Sequence, residues 1–216
     1  TAPQSDNAAE PWSQVGQNDI AIAGGRFRLS VHDAQDRFNI NNLRQGGVAA
    51  QAFLARLLAY CGVEVDPAAV AAYVQLTGPL ADIASLRVLG VEDRKLACLG
   101  TVATALPSMS TINLNSATEP VVEALVGDRA TAALLIAQRR RQGLITEADL
   151  AAAKVIMPLG AGFTSNFFVA DTQVTVGQTA TAWTTLLQRT RVNGRPDVVS
   201  VGRKKQTAEP VKAPPL

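Results

Sequence analysis

The sequence is poor in the residues from which most enzymes build a site. Of its 216 residues one is a histidine, His32, and two are cysteines, Cys61 and Cys98. A His/Cys metal cluster is excluded by count, and a Cys–His nucleophilic pair has a single histidine to draw on. The cysteines lack the CxxC spacing; they are either two buried thiols or one disulfide, and spacing does not choose. Aromatic residues make up 5%, too few for a platform that stacks single-stranded bases. The net charge of +2 lacks the basic excess of a dedicated nucleic-acid binder. No segment reaches the roughly 18–20 uninterrupted apolar residues of a membrane span. Residues 1–18 are polar and include Pro3 and Pro11, so they do not read as a secretion signal. If the parent protein has a membrane anchor, the expectation is that it lies upstream and has been cut away.

What is present is material for a core. Hydrophobic residues are 47% and charged ones 18%, outside the range of disordered chains. The length suits one substantial domain or two small ones.

Residues 1–18 read as an extended arm ending near Trp12. Residues 19–23 and 26–31, separated by Gly24-Gly25, read as a β-hairpin. Ile20 and Ile22 alternate with polar neighbours, as do Phe27, Leu29 and Val31. The middle is helical. Residues 48–61 place Ala52, Leu54, Leu57, Leu58 and Cys61 on one broad face, and Gly62 stops them. Asp66-Pro67 opens a helix over 68–76. Further helices are predicted over 83–89, 92–104, 118–125 and 130–142, and a short one from Thr146. The pattern then changes to period two over 166–176 and 179–191, where Trp183, Thr185 and Leu187 alternate. Asn193-Gly194 is a strong hairpin signal, because both residues tolerate positive φ. Residues 198–201 are the return strand. The segment 204–216, with its charges and prolines, reads as a disordered tail. This order gives an α+β fold in which an antiparallel sheet is built from both ends of the chain and carries a large all-α insertion. The boundaries are 1–18 for the arm, 19–41 with 163–203 for the sheet domain, and 42–162 for the insertion.

Chemistry-bearing clusters are scarce. The carboxylates Asp33 and Asp36, Glu92 and Asp93, and Glu147 and Asp149 suit turns and caps better than acid/base work. His32 and Asp33 are adjacent in a strand, which sends their side chains to opposite faces. The glycine pairs Gly24-Gly25 and Gly46-Gly47 lack the rest of a phosphate cradle. Residues 112–117 precede a helix, a break at Gly127 and a second helix ending in Arg139-Arg140-Arg141. This is similar to a helix-hairpin-helix unit, which would make nucleic acid an alternative ligand. The second hairpin glycine is absent, however, and Asp128 sits where a phosphate would bind. A packed helical pair with solvated arginines is the better reading, so no nucleic-acid partner is expected.

Three stretches in order carry a family resemblance. Val31-His32-Asp33-Ala34-Gln35-Asp36-Arg37-Phe38-Asn39-Ile40-Asn41-Asn42-Leu43 resembles the acidic turn and Asn-Leu-Asn-Asn-Leu run of the protein K minor pseudopilins of type II secretion (the general secretion pathway protein K family). Pro79-Leu80-Ala81-Asp82-Ile83-Ala84-Ser85-Leu86-Arg87-Val88-Leu89-Gly90 resembles that family's Leu-Arg stretch. Leu106-Pro107, followed by Ile112-Asn113-Leu114-Asn115-Ser116-Ala117, resembles its Leu-Pro and Ile-Asn-Leu-Asn-Thr-Ala signature. With Glu10-Pro11-Trp12 ahead of them, the three span about residues 12–201. The structural residues carried by these motifs are Asp33, Phe38, Asn39, Asn41, Leu43, Leu86, Asn113 and Asn115. The asparagines are of the type that bonds backbone groups where a strand hands over to a helix.

The resemblance implies a pseudopilin-type sheet, an insertion of helix-hairpin-helix or SAM-like units, and a pilin helix missing from the N-terminus. It implies a non-enzymatic subunit at the pseudopilus tip, assembling with minor pseudopilins I and J and open to contact with the secretin or cargo. It implies a periplasmic location, the full-length protein being anchored in the inner membrane. An oxidising compartment makes a Cys61–Cys98 bridge an expectation. The resemblance would allow calcium, which some members of the family bind, but the family's acidic stretches between the first helices and the Leu-Arg run are missing over residues 73–79, so no calcium site is expected here, and no cofactor.

Overall fold

The computed structural model describes residues 5–7 and 9–207. In chain order, a 3-10 turn (Pro11–Gln14) leads into β1 (Gln17–Ile22) and β2 (Gly25–Asp33). Then come β3 (Phe38–Asn39), a 3-10 turn (Ile40–Arg44), α1 (Gly47–Tyr60) and α2 (Pro67–Thr77). A 3-10 stretch (Ile83–Leu89), α3 (Asp93–Leu99), β4 (Ala103–Thr104) and β5 (Ile112–Asn113) follow. The helices α4 (Glu119–Val126), α5 (Arg129–Gln142) and α6 (Glu147–Ala152) precede β6 (Ala161–Gly162). Three long strands close the chain: β7 (Phe167–Val176), β8 (Thr179–Val192) and β9 (Arg195–Gln206). None of the described helices is long and apolar enough to cross a membrane.

The chain divides into two compact units. One comprises Thr1–Ala8 with Ala34–Ser165, the other Ala9–Asp33 with Asn166–Leu216. The helical unit therefore starts earlier than residue 42, because Phe38 and Asn39 are already inside it: Phe38 donates its N–H to Val102 O at 3.0 Å, and both residues are buried.

The sheet unit is one antiparallel sheet of order β1-β2-β7-β8-β9, so the N-terminal hairpin and the C-terminal strands share a sheet. A two-stranded hairpin is marginal alone, and pairing β2 with β7 along its length supplies the missing strands. The turns follow from local chemistry. Asn193 has φ 52° and Gly194 φ 76°, which lets the β8–β9 hairpin close in two residues. At Gly25 a Cβ would lie 1.9 Å from Thr175 O, so only glycine lets β2 approach β7 there. The tail expected from residue 204 does not start there. Residues 203–206 are strand, paired with 182–185 of β8, and Arg203 lies 4.4 Å from the Trp183 ring centroid. Pairing to an existing strand outweighs the charge of Arg203, Lys204 and Lys205. The rest of the expected tail, 208–216, lies outside the described residues.

The helical unit holds a continuous core in which Leu54, Leu57, Val70, Val74, Leu86, Leu99, Val121 and Val122 are at most 0% exposed. Helix boundaries follow their caps. Asp66 accepts the Ala68 N–H at 2.9 Å, Asp82 that of Ala84 at 2.9 Å and Asp128 that of Thr131 at 2.7 Å. Two expectations need correction. The insertion is not all-α, since β3 pairs in parallel with β4, and β5 with β6. The helix expected over 92–104 ends at Leu99; Gly100 caps it and Val102 N–H turns back to Leu99 O at 3.1 Å, freeing Ala103 and Thr104 to pair with β3. The expected extended arm is not uniform either. Residues 11–14 form a 3-10 turn, while Asp6 belongs to the helical unit. Residues 1–4 and 8 of that arm lie outside the described residues.

Candidate partner-binding face and the asparagine locks

Strand pairing sorts the side chains of the sheet unit into two faces. One face carries Phe27, Leu29 and Val31 from β2, aligned with Val174, Thr172 and Ala170 from β7. These continue into Thr181, Trp183 and Thr185 of β8. Ile20 and Ile22 extend it on β1. The opposite face carries Arg26, Arg28, Ser30 and His32, aligned with Thr175, Gln173, Asp171 and Val169. The apolar face is poorly covered. Phe27, Leu29, Val31, Val174, Trp183 and Leu187 are half-buried, and Ile22 and Val176 are 40% and 50% exposed. Trp12 covers one end, its ring 5.0 Å from that of Phe168, with its indole N–H held by Glu10 at 2.8 Å. A sheet is stable with one wet face when that face is polar; here an apolar face keeps contact with water. His32 lies on the polar face, 3.6 Å from Asp171. Asp171 also accepts a hydrogen bond from Thr184. Asp33, on the other face, is 3% exposed, so His32 and Asp33 form no dyad.

In the helical unit the motif asparagines act as locks. Asn39 Oδ1 accepts the N–H groups of Asn41 and Leu106, each at 3.1 Å, and its amide donates to Ser108 O at 2.8 Å. Asn41 accepts the Leu80 N–H at 2.8 Å and donates to the carbonyls of Leu80 and Leu106 at 2.9 and 2.8 Å. Asn42 clasps Ser110 through both its N–H and its carbonyl. The same local plan recurs. Asn113 Oδ1 accepts the Asn115 N–H at 3.0 Å, and Asn115 Oδ1 accepts that of Ile145 at 2.6 Å. Each pair stands at a short parallel ladder, makes an i-to-i+2 turn, and receives the chain after a helical pair. The repeats differ in completeness, for Asn115 Nδ2 and Thr118 Oγ1 are buried without a hydrogen-bond partner. Phe38 packs edge-on to Phe53 at 5.2 Å, and Leu43 and Leu86 are 1% and 0% exposed. These residues fix the fold of the helical unit.

Cys61 and Cys98 are joined by a disulfide with a Cα–Cα distance of 5.7 Å, tying the end of α1 to α3. The second repeat has no cysteine; Arg139 of α5 ties it, donating to the carbonyls of Leu114 and Ala117 at 2.8 and 2.7 Å. Burial pulls its pKa below the ordinary arginine value, and Arg140 beside it adds to the effect. This inward turn, with the Asp128 carboxylate seated at the start of α5, removes the geometry of a phosphate-gripping hairpin.

Several anchoring residues escaped the sequence reading. Asp6 is 1% exposed. It donates its N–H to Phe163 O at 2.7 Å, accepts the Ser165 N–H at 2.7 Å and receives the Asn113 amide on its carbonyl at 3.0 Å. Gln35, 2% exposed, donates to Thr111 O at 2.8 Å. Gln35 stands between Asp33 and Asp36, carboxylates that suit a turn, and nothing around Asp6 in sequence signals a long-range role. Among the described residues no group of three or more His, Cys, Asp or Glu converges to hold a metal. Asp36 is engaged by Arg37 at 2.8 Å and Asp93 by Arg87 at 2.6 Å.

No protein-family model matches the chain, and no curated protein matches it in sequence. Structure comparison does find a neighbour. It is a chain in the crystal structure of the GspK–GspI–GspJ complex from the type 2 secretion system of enterotoxigenic Escherichia coli. The TM-score is 0.71 at 19% identity, over 96% of this chain and 89% of that one. The likeness thus spans both units, and the chain has a GspK-like minor pseudopilin fold.

Proposed function

We propose that the protein is a minor pseudopilin of a type II secretion system, a non-enzymatic assembly subunit at the tip of the periplasmic pseudopilus. The observation that carries this reading is the fold likeness over 96% of the chain to a member of a GspK–GspI–GspJ complex. The sheet unit supplies a physical reason for assembly. Its apolar face is half-exposed along β1, β2, β7 and β8, and covering it removes apolar area from water at about 25 cal/mol per Å². Counterparts of GspI and GspJ are the proposed occupants of this face and of the Trp12 segment, with the helical unit left for the secretin or cargo. The full-length protein is proposed to be held at the inner membrane with this portion in the periplasm.

The test is co-purification with soluble counterparts of GspI and GspJ. Phe27→Glu and Val174→Glu, on the apolar face, are expected to abolish capture. Leu134→Glu on α5, at a residue 64% exposed, is expected to leave it intact. The reverse pattern would overturn the assignment of surfaces, and no capture by the unaltered protein would overturn the assembly reading.

A further inference from the structure

We propose that the outer edge of β9 is a β-addition site for an extended acidic segment of a partner protein. β9 is the last strand in the sheet order, and among the described strands it pairs with β8 alone. All twelve of its residues are exposed. An edge of that length offers backbone donors and acceptors that a second chain can extend, an incoming strand having to take the Val198 N–H from the Asp197 carboxylate, which accepts it at 2.9 Å. The usable stretch is short. Pro196 bounds it on one side. On the other, the register slips between Leu186 and Leu187, which leaves Val201 as a bulge. Between them Val198 and Val199 are 60% and 37% exposed, with no charged side chain from Val198 to Gly202.

Charge selects the occupant. The β8–β9 hairpin, 179–206, carries six arginines and lysines against a single acid, Asp197, a net +5. The whole chain nets +2, so the remainder nets −3. The cations stand at both ends of the valine stretch, Arg191 and Arg195 near the tip and Arg203 to Lys205 at the base. Two copies of this hairpin placed edge to edge would set like charges together, so the arrangement guards against self-pairing. Residues 208–216 hold Pro210, Pro214 and Pro215, which lack the N–H that a ladder needs. A strand with acids flanking a β-branched centre satisfies both the edge and the charge.

Any partner segment of this chemistry would serve, so the full chain is tested with a synthetic probe. The probe is a fluorescein-labelled peptide, Glu-Glu-Thr-Val-Thr-Val-Thr-Glu-Glu. Anisotropy should report binding that weakens with added salt, and amide shifts should cluster at residues 197–201. The double variant Arg203→Glu, Lys205→Glu should weaken binding by roughly tenfold or more. A peptide N-methylated at alternate residues, which keeps its charge and leaves the protein untouched, should not bind. Equal binding of the N-methylated peptide, or of its all-lysine counterpart, would overturn the proposal. So would silence of the acidic peptide while heparin or anionic vesicles bind this hairpin, since the ligand would then be a polyanion or a lipid surface.

Discussion

The two units bury their side chains in different ways. In the helical unit Leu54, Val70, Leu86, Leu114 and Val122 are wholly covered by residues of the same unit. Among the described residues of the sheet unit Phe167, Phe168 and Ala170 are the buried apolar strand residues, while Phe27, Leu29 and Trp183 stop half-way. The helical unit also locks its loops with asparagines and a disulfide. The contrast teaches where each unit's residues are committed: in one to its own fold, in the other to a surface that still has apolar area to lose.

That contrast is broken most sharply at Asn41. Asn41→Ala leaves the Leu80 N–H and the Leu80 and Leu106 carbonyls buried without their partner. The expected loss is about 4 kcal/mol in urea melts. Removing the disulfide by Cys61→Ala with Cys98→Ala should cost about 3–4 kcal/mol from loop closure, read as a lower thermal midpoint. Arg139→Ala, which strips two carbonyls of a partly buried guanidinium in the repeat that has no disulfide, should cost about 2–3 kcal/mol. By comparison Phe27→Glu, on the half-wet face, should cost less than about 1 kcal/mol of stability while abolishing partner capture. An unfolded Phe27→Glu protein would erase the distinction between the units.

Smaller effects sharpen the picture. Thr146 and Asp149 form a reciprocal capping box at α6. The Thr146 hydroxyl holds the Asp149 carboxyl below the usual aspartate value, and its backbone N–H, Gln138 and Gln142 add to this. Asp128 is lowered likewise by its bonds to Thr131. A depressed folded-state pKa gives stability that is present above the ordinary value of 3.8 and is lost as pH falls through the folded value. Asp149→Asn should therefore reduce the acid sensitivity of melting below that pH and cost about 1 kcal/mol near neutrality. The smallest expected effect is that of calcium. Isothermal titration should find no micromolar site, because Asp36 and Asp93 are engaged by arginines.

Much of the architecture was legible because it is encoded over short distances. Period-two alternation in β2 reappears as alternating burial, and Asn193-Gly194 supplies the positive φ that its hairpin requires. Asp66, Asp82 and Asp128 cap the helical segments that follow them. Helical composition runs through Gly100, so the sequence predicts one helix over 92–104 where the structure ends it at Leu99. What ends the helix is the pairing of β4 with β3, more than sixty residues away in sequence, as the 63-residue span from Arg37 to Gly100 illustrates.

The sequence alone determined the alternation, the turns, the caps and the asparagines able to fold back two residues, since each depends on φ, ψ and a hydrogen bond within a few positions. The tertiary structure decided which distant groups those asparagines hold. Asn41 meets Leu106 across 65 residues and Asn113 meets Asp6 across 107. It decided that Cys61 lies beside Cys98, that Asp6 is buried, and that β9 runs on through Arg203 and Lys205. Such pairings carry no local signature: the chain-closure entropy they cost is offset only when the surrounding core and neighbouring strands are already in place.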